Sequence, residues 1–225
     1  MLKKARAKII DRILNKLYPH PKPALNFKTR YQLLAAVVLS AQCTDERVNE
    51  VTERLFDHRP GPKAVLDLGP EALIAFIRPC GLHHAKAKSI LGLSRILIEK
   101  YKGELPDNFD DLVKLPGVGQ KTADVVLAQG FGKPAFPVDT HIFRVARRLD
   151  LSKKTSANKL AEDLKKLFPV NRWKDLHLQF IFHGRQVCHA RKPECAGCKL
   201  LKVCPAGQGF ERSRKVGKKR IRNKE

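Results

Sequence analysis

The chain has 225 residues, 43% of them hydrophobic, and carries 45 Lys and Arg against 22 Asp and Glu, a formal net charge of +23. That apolar content excludes a disordered chain, and the length allows one good core or two smaller ones. The longest apolar run, Leu33 to Leu39 with Ala41 just beyond, is too short to span a bilayer. A surface this basic draws polyanions, nucleic acid first and anionic membrane as the competitor.

Met1 to Leu17 is basic but periodic, with Ile9, Ile10, Ile13, Leu14 and Leu17 on one face. This predicts an amphipathic helix, because a secretion signal needs an unbroken apolar stretch and a small-residue cleavage site. Asp11 and the lack of Ser speak against a transit peptide, and the expected compartment is the cytoplasm. Helical periodicity then recurs at Tyr31 to Ser40, Arg47 to Phe56, Glu71 to Pro79, Ala87 to Lys100 and Phe109 to Leu115. It continues at Gln120 to Gln129, Thr140 to Asp150, Ala157 to Leu167 and Trp173 to Gln186. Pro and Gly punctuate the gaps at Pro19 to Pro23, Arg59 to Pro62, Gly103 to Pro106, Leu115 to Gly119, Gly130 to Pro137 and Pro169. Strand signals are scarce and no repeat has a fixed period, so the predicted fold is all-α. Glu211 to Glu225 is rich in Lys and Arg with few apolar residues, which predicts a disordered tail, either solvated or touching phosphate nonspecifically.

Leu115-Pro116-Gly117-Val118-Gly119 separates two predicted helices, and Gln120-Lys121-Thr122-Ala123 opens the second. Two glycines around Val118 allow a tight turn whose N–H groups point outward together at the positive end of a helix. Such a turn grips a DNA phosphate without reading sequence; it can equally be a plain connection. Lys121 falls in the first helical turn, where the dipole disfavours a cation. A lysine so placed can become a neutral amine and a nucleophile, or it can contact phosphate or solvent. Asp139 precedes the apolar run Ile142, Val145, Ala146 and Leu149, as an N-cap does. Capping would hold its carboxylate charged and fixed, which also suits a group that stabilises positive charge developing on a sugar.

Cys188, Cys195, Cys198 and Cys204 form the pattern C-x6-C-x2-C-x5-C. Four thiolates in so short a stretch repel one another without a cation between them, so a metal site is expected. The spacing admits both zinc and an iron–sulfur cluster; a disulfide framework fits poorly, because nothing else looks secreted.

Together L-P-G-V-G-x-K-T-A at Leu115 to Ala123, V-D-T-H at Val138 to His141 and the cysteine tail resemble the endonuclease III family, a branch of the helix–hairpin–helix DNA glycosylases. Leu39 to Asp45 (L-S-A-Q-C-T-D) and Gly81-Leu82 are similar to that family's DNA-facing loops. The likeness runs from about residue 5 to Ala206. It implies an all-α, two-lobed fold with DNA across the cleft. Residues 22–133 would form a six-helix module, 1–21 and 134–206 the cluster lobe, and 207–225 a basic disordered tail. The resemblance also implies a [4Fe–4S] cluster on the four cysteines, mainly structural. The cluster would order a basic loop from His189 to Lys202 in which Arg191, Lys192, Lys199 and Lys202 face the DNA backbone. Cys43 and Cys80 match no ligand position and are expected as core thiols.

By the same resemblance Lys121 is the nucleophile and Asp139 the essential carboxylate of a bifunctional DNA glycosylase and AP lyase of base excision repair. The implied partner is double-stranded DNA carrying oxidised pyrimidines or abasic sites, met by a monomer at the nucleoid with no membrane partner. Gly117, Val118, Gly119 and Gln120 would lie on the backbone. Gln42 would fill the hole left by the flipped nucleotide, and Leu82 would wedge the neighbouring base step. The alternatives for those two are a helix-end polar residue and ordinary packing. Gln120 stands where relatives commonly have a basic residue. His141 either packs beside Asp139 or touches DNA; His83 and His84 follow the wedge loop and meet DNA or solvent. A related adenine glycosylase shares the cluster but lacks a lysine at the place of Lys121 and adds a domain for which the stretch after Cys204 leaves no room. A non-catalytic scaffold with structural zinc would explain charge and cysteines, yet leaves Lys121 and Asp139 as coincidence.

Overall fold

The computed structural model describes residues 1–57 and 60–222, with side chains described as far as Arg214. The described residues are helical and hold no strand, as the periodicity predicts. In chain order the helices are α1 (Lys3–Leu17), α2 (Arg30–Leu39), α3 (Asp45–Phe56), α4 (Pro62–Ile77), α5 (His83–Tyr101), α6 (Phe109–Leu112), α7 (Gln120–Val125), α8 (Thr140–Arg148), α9 (Ala157–Leu167), α10 (Trp173–Gln186) and α11 (Pro205–Arg222). They fall into two compact units, Pro23–Ala135 and Met1–Lys22 with Phe136–Glu225. No helix among the described residues is long and apolar enough to cross a membrane.

Pro23–Ala135 is built around α2, in which every residue from Tyr31 to Leu39 is buried. A helix apolar on all sides is stable only when surrounded. Leu34, Leu39, Val51, Leu55, Leu73, Ile90, Leu93 and Leu97 share one apolar cluster with it. Side chains stop the helices from fraying: the Thr29 hydroxyl accepts from the Gln32 N–H at 3.2 Å, Thr44 from Arg47 at 3.3 Å, and Asn108 from Asp111 at 2.9 Å.

Two elements depart from the periodicity. The segment predicted from Glu71 begins at Pro62 and bends at Gly69, whose φ of 78° and ψ of 169° leave the helical region just before Pro70. Its first half buries only Val65, too little apolar signal to register as a period. Beyond Val125 the chain widens into a π turn over Val126–Gly130 rather than continuing α7 to Gln129.

The other unit packs α1, α8, α9 and α10 around Ala7, Ile10, Leu14, Ile142, Leu160, Leu164, Leu176 and Phe180. Arg6, one of the basic residues of α1, is buried. Its Nη1 donates to the carbonyls of Leu149 and Asp150 at 3.3 and 3.1 Å and to Asp150 Oδ2 at 2.7 Å. Arg172 ties α1 to α10, donating to Asp11 Oδ1 at 3.0 Å, Asp175 Oδ2 at 2.9 Å and Gln179 Oε1 at 3.2 Å.

The stretch from residue 207, expected as a disordered tail, is helical to Arg222 as part of α11. Its charge-rich composition hides three anchors. The Arg148 guanidinium lies 5.5 Å from the Phe210 ring, Gln208 Nε2 donates to the Leu201 and Lys202 carbonyls at 3.2 and 3.0 Å, and Glu211 pairs with Arg214 at 3.1 Å. Residues 223–225 of that stretch lie outside the described residues.

Candidate functional site

The turn Leu115 to Gly119 joins α6 to α7. Leu115 and Val118 are buried, and the Val118 N–H donates to the Leu115 carbonyl at 3.1 Å, closing the turn. Gly117 has φ 77°, and a Cβ added there would lie 2.7 Å from Ser89 Cβ and 2.8 Å from Ser89 Oγ on α5. Handedness and space together demand glycine. Gly119 sits at the N-cap of α7 with φ −88° and open space on its side-chain face. No side chain caps α7, so the orphan N–H groups of its first turn stay available to an anion. Gln120 is half-buried, while Lys121, the second residue of α7, is exposed.

The same unit brings Gln42 and Leu82 into relation. Gln42, between α2 and α3, and Leu82, at the start of α5, are both exposed and both left-handed, with φ of 54° and 49°. Leu82 is 55% exposed. Behind them lies Lys86, whose Nζ donates to the Leu39, Ala41 and Cys80 carbonyls at 2.8, 2.7 and 2.8 Å. Cys80 is buried in the apolar cluster and Cys43 packs against it. Burial, reinforced by Cys43, pushes the Cys80 thiol up to about 11. The His83 and His84 rings lie tilted at 45° to each other with centroids 4.6 Å apart.

Asp139 and His141 belong to the other unit. Asp139 is half-buried, and its Oδ1 accepts from the Ile142 N–H at 2.8 Å, so the expected N-cap is present. His141 packs on α10 at Gly184, where an added Cβ would come within 2.9 Å of His141 Cβ. Arg144 Nη2 lies 3.2 Å from His141 Nδ1 and donates to the Gly184 carbonyl at 2.9 Å. Burial lowers the His141 pKa, Asp139 opposes that, and Arg144 and Arg185 add to it.

Cys188, Cys195, Cys198 and Cys204 line one cavity, with Val145, Leu200 and Phe210 among its apolar walls. Donors approach two of the sulfurs, Arg148 Nη1 at 3.3 Å from Cys188 Sγ and the Gly207 N–H at 3.2 Å from Cys204 Sγ, and His183 Nε2 lies 3.6 Å from Cys198 Sγ. Burial, with the neighbouring thiols, raises the pKa of Cys195, Cys198 and Cys204. Three thiols whose ionisation burial opposes, gathered with Cys188 around one cavity and facing N–H donors, suit a group that brings positive charge. Among the described residues no three such donors converge on a single-ion position. Arg191, Lys192, Lys199 and Lys202 are all exposed on the loop that carries these cysteines.

Residues 35–170 match the HhH-GPD superfamily of base excision DNA repair proteins. Endonuclease III of Synechocystis sp. is 45% identical over 207 residues, covering 92% of this chain and 94% of that protein. The chain belongs to the endonuclease III family. Two solved structures of that family, a non-covalent endonuclease III–DNA complex and a trapped endonuclease III–DNA covalent intermediate, share its fold. Each has a TM-score of 0.90 and 41% identity, and covers 94% of this chain and 100% of the other. As a member of that family it is a bifunctional DNA glycosylase and AP lyase of base excision repair.

Sequence reasoning missed Lys86, Arg144, Arg148 and Gly184. Arg148 Nη1 donates to the Cys188 and His189 carbonyls at 3.4 and 2.6 Å, and Nη2 to Ala190 at 2.9 Å. In the sequence these are ordinary members of basic stretches; only long-range partners distinguish them.

Proposed function

We propose that this member of the endonuclease III family removes oxidised pyrimidines from double-stranded DNA through a Schiff base on Lys121, acting as a monomer in the cytoplasm, at the nucleoid and not at a membrane. The observation that carries the reading is the exposed Lys121 in the opening turn of α7, directly behind a turn that only glycine at position 117 permits. The turn shaped by Gly117 and Val118 presents the uncapped N–H groups of Gly119 and Gln120, which hold a backbone phosphate. A damaged pyrimidine leaves the stack at little cost, because damage has already weakened its stacking. Gln42 occupies the vacated space, Leu82 props the neighbouring step, and His141 lies close to the backbone.

The Lys121 amine, deprotonated, attacks C1′ as the bond to the base breaks; the base leaves with the bonding pair and is protonated. Asp139 helps take up the proton lost by the amine and stabilises the positive charge on the sugar. The C1′–O4′ bond then opens, O4′ leaving with the bonding pair and taking a proton, and the resulting Schiff base makes the C2′ proton acidic. Its removal expels the 3′ phosphate and cuts the strand on the 3′ side. Cys188, Cys195, Cys198 and Cys204 would hold a [4Fe–4S] cluster, which supplies structural order to the exposed Arg191, Lys192, Lys199 and Lys202. Duplexes carrying thymine glycol and duplexes carrying mispaired adenine separate this reading from its rival. Release of thymine glycol with a 3′ strand break supports it; release of adenine alone, or of neither base, overturns it.

A further inference from the structure

Lys86 is only 5% exposed, yet it lies in a helix that starts with His83 and His84 at the surface-facing end of its unit. An ammonium has three donors, and all of them are used on main-chain carbonyls: Leu39 at the end of α2, Ala41 on the loop of Gln42, and Cys80 on the loop of Leu82. The Lys86 N–H also donates to the Leu82 carbonyl at 3.0 Å. The Ala41 carbonyl belongs to the peptide that leads into Gln42, and the Cys80 carbonyl to the peptide that leads into Gly81. Directly after these two peptides the chain turns left-handed, at Gln42 with φ 54°, at Gly81 with φ 67° and at Leu82 with φ 49°. L-residues hold that conformation only where the surroundings impose it. Burial lowers the Lys86 pKa and no phosphate can reach its donors while they are so engaged.

We propose that Lys86 is the positioning residue that couples the two loops, fixing Gln42 and Leu82 in register so that gap filling and wedging occur as one event. The proposal rests on the reading of Gln42 and Leu82 as DNA-facing. A buried cation shared between two loops does what a chain connection does not: it makes the place of each side chain depend on the other.

The test uses the full-length protein and a thymine-glycol duplex with 2-aminopurine beside the lesion, whose fluorescence reports opening of the stack. Lys86→Met keeps the apolar stem and removes the donors. It should reduce the fluorescence rise and the excision rate by about 10- to 100-fold, as expected for reacting groups displaced by about 1 Å. Affinity for undamaged duplex, which depends on the 115–119 turn, should change less than about threefold. In the Lys86→Met, Leu82→Ala double variant the losses should not multiply, because one removes what the other positions. If Leu82→Ala and Gln42→Ala slow excision but Lys86→Met does not, coupling through Lys86 is wrong and the loop reading stands. If neither Leu82→Ala nor Gln42→Ala slows excision, the loop reading itself fails and takes the proposal with it. Equal losses on damaged and undamaged duplex would overturn the proposal by marking Lys86 as general scaffolding. Should Lys86→Met not fold, Lys86→Gln, with amide donors on a shorter stem, carries the same comparison.

Discussion

Replacing Gly117 with alanine separates a turn built for a purpose from a mere connection. At φ 77° an L-residue costs about 1–2 kcal/mol. The new Cβ would also meet Ser89 Cβ at 2.7 Å, a distance that forces α5 or the turn to move; overpacking of that kind costs about 1–3 kcal/mol. Alanine stiffens the unfolded chain and returns about 0.4–1 kcal/mol. The expected net loss is therefore about 2–4 kcal/mol, read from urea midpoints at constant m. Gly119→Ala, with open space and a negative φ, should stay within about 0.5 kcal/mol of the parent. Ser89→Gly removes the atoms that are struck. In a double-mutant cycle it should recover the steric part, about 1–3 kcal/mol, and leave the conformational part. A Gly117→Ala protein as stable as the parent, or a cycle with no coupling, would refute the reasoning. Binding to undamaged duplex should weaken in parallel, since the turn that moves is the one proposed to hold phosphate.

Asp139→Asn keeps an N-cap of equal quality, so stability should change by less than about 0.5 kcal/mol while excision slows about 10²- to 10⁴-fold; unchanged excision kinetics would make Asp139 a cap alone. Tyr31 is buried with its hydroxyl 2.7 Å from Ser94 Oγ, and burial pushes its pKa up to about 12. The folded state thus favours the neutral phenol: its contribution is complete below about pH 10 and is lost as pH rises toward about 12, at most about 3 kcal/mol. Urea midpoints of the parent should fall more than those of Tyr31→Phe between about pH 9 and 11, and parallel curves would contradict the assignment. Purified protein should be yellow-brown and lose its visible absorption in Cys198→Ser; a colourless, zinc-containing protein would contradict the cluster.

Local grammar carried far into this fold. The apolar run of α2, the cap at Asp139, and the glycine turn before Lys121 can be read in sequence because each depends on neighbours within a few residues. The helical tail departs from the expectation because composition averages over position: Gln208 and Phe210, just ahead of the basic stretch, anchor α11. Arg6 and Lys86 were invisible for the same reason. A buried cation looks like an exposed one until its carbonyl partners, far off along the chain, are in place. The four cysteines announced a metal, but spacing alone left its kind open.

Borohydride trapping on a duplex with thymine glycol or an abasic site tests the central claim most directly. The reductant should fix a covalent protein–DNA adduct with the parent chain and none with Lys121→Gln, although that variant still binds the duplex. An adduct of equal yield from Lys121→Gln would place the Schiff base on another amine and contradict the account.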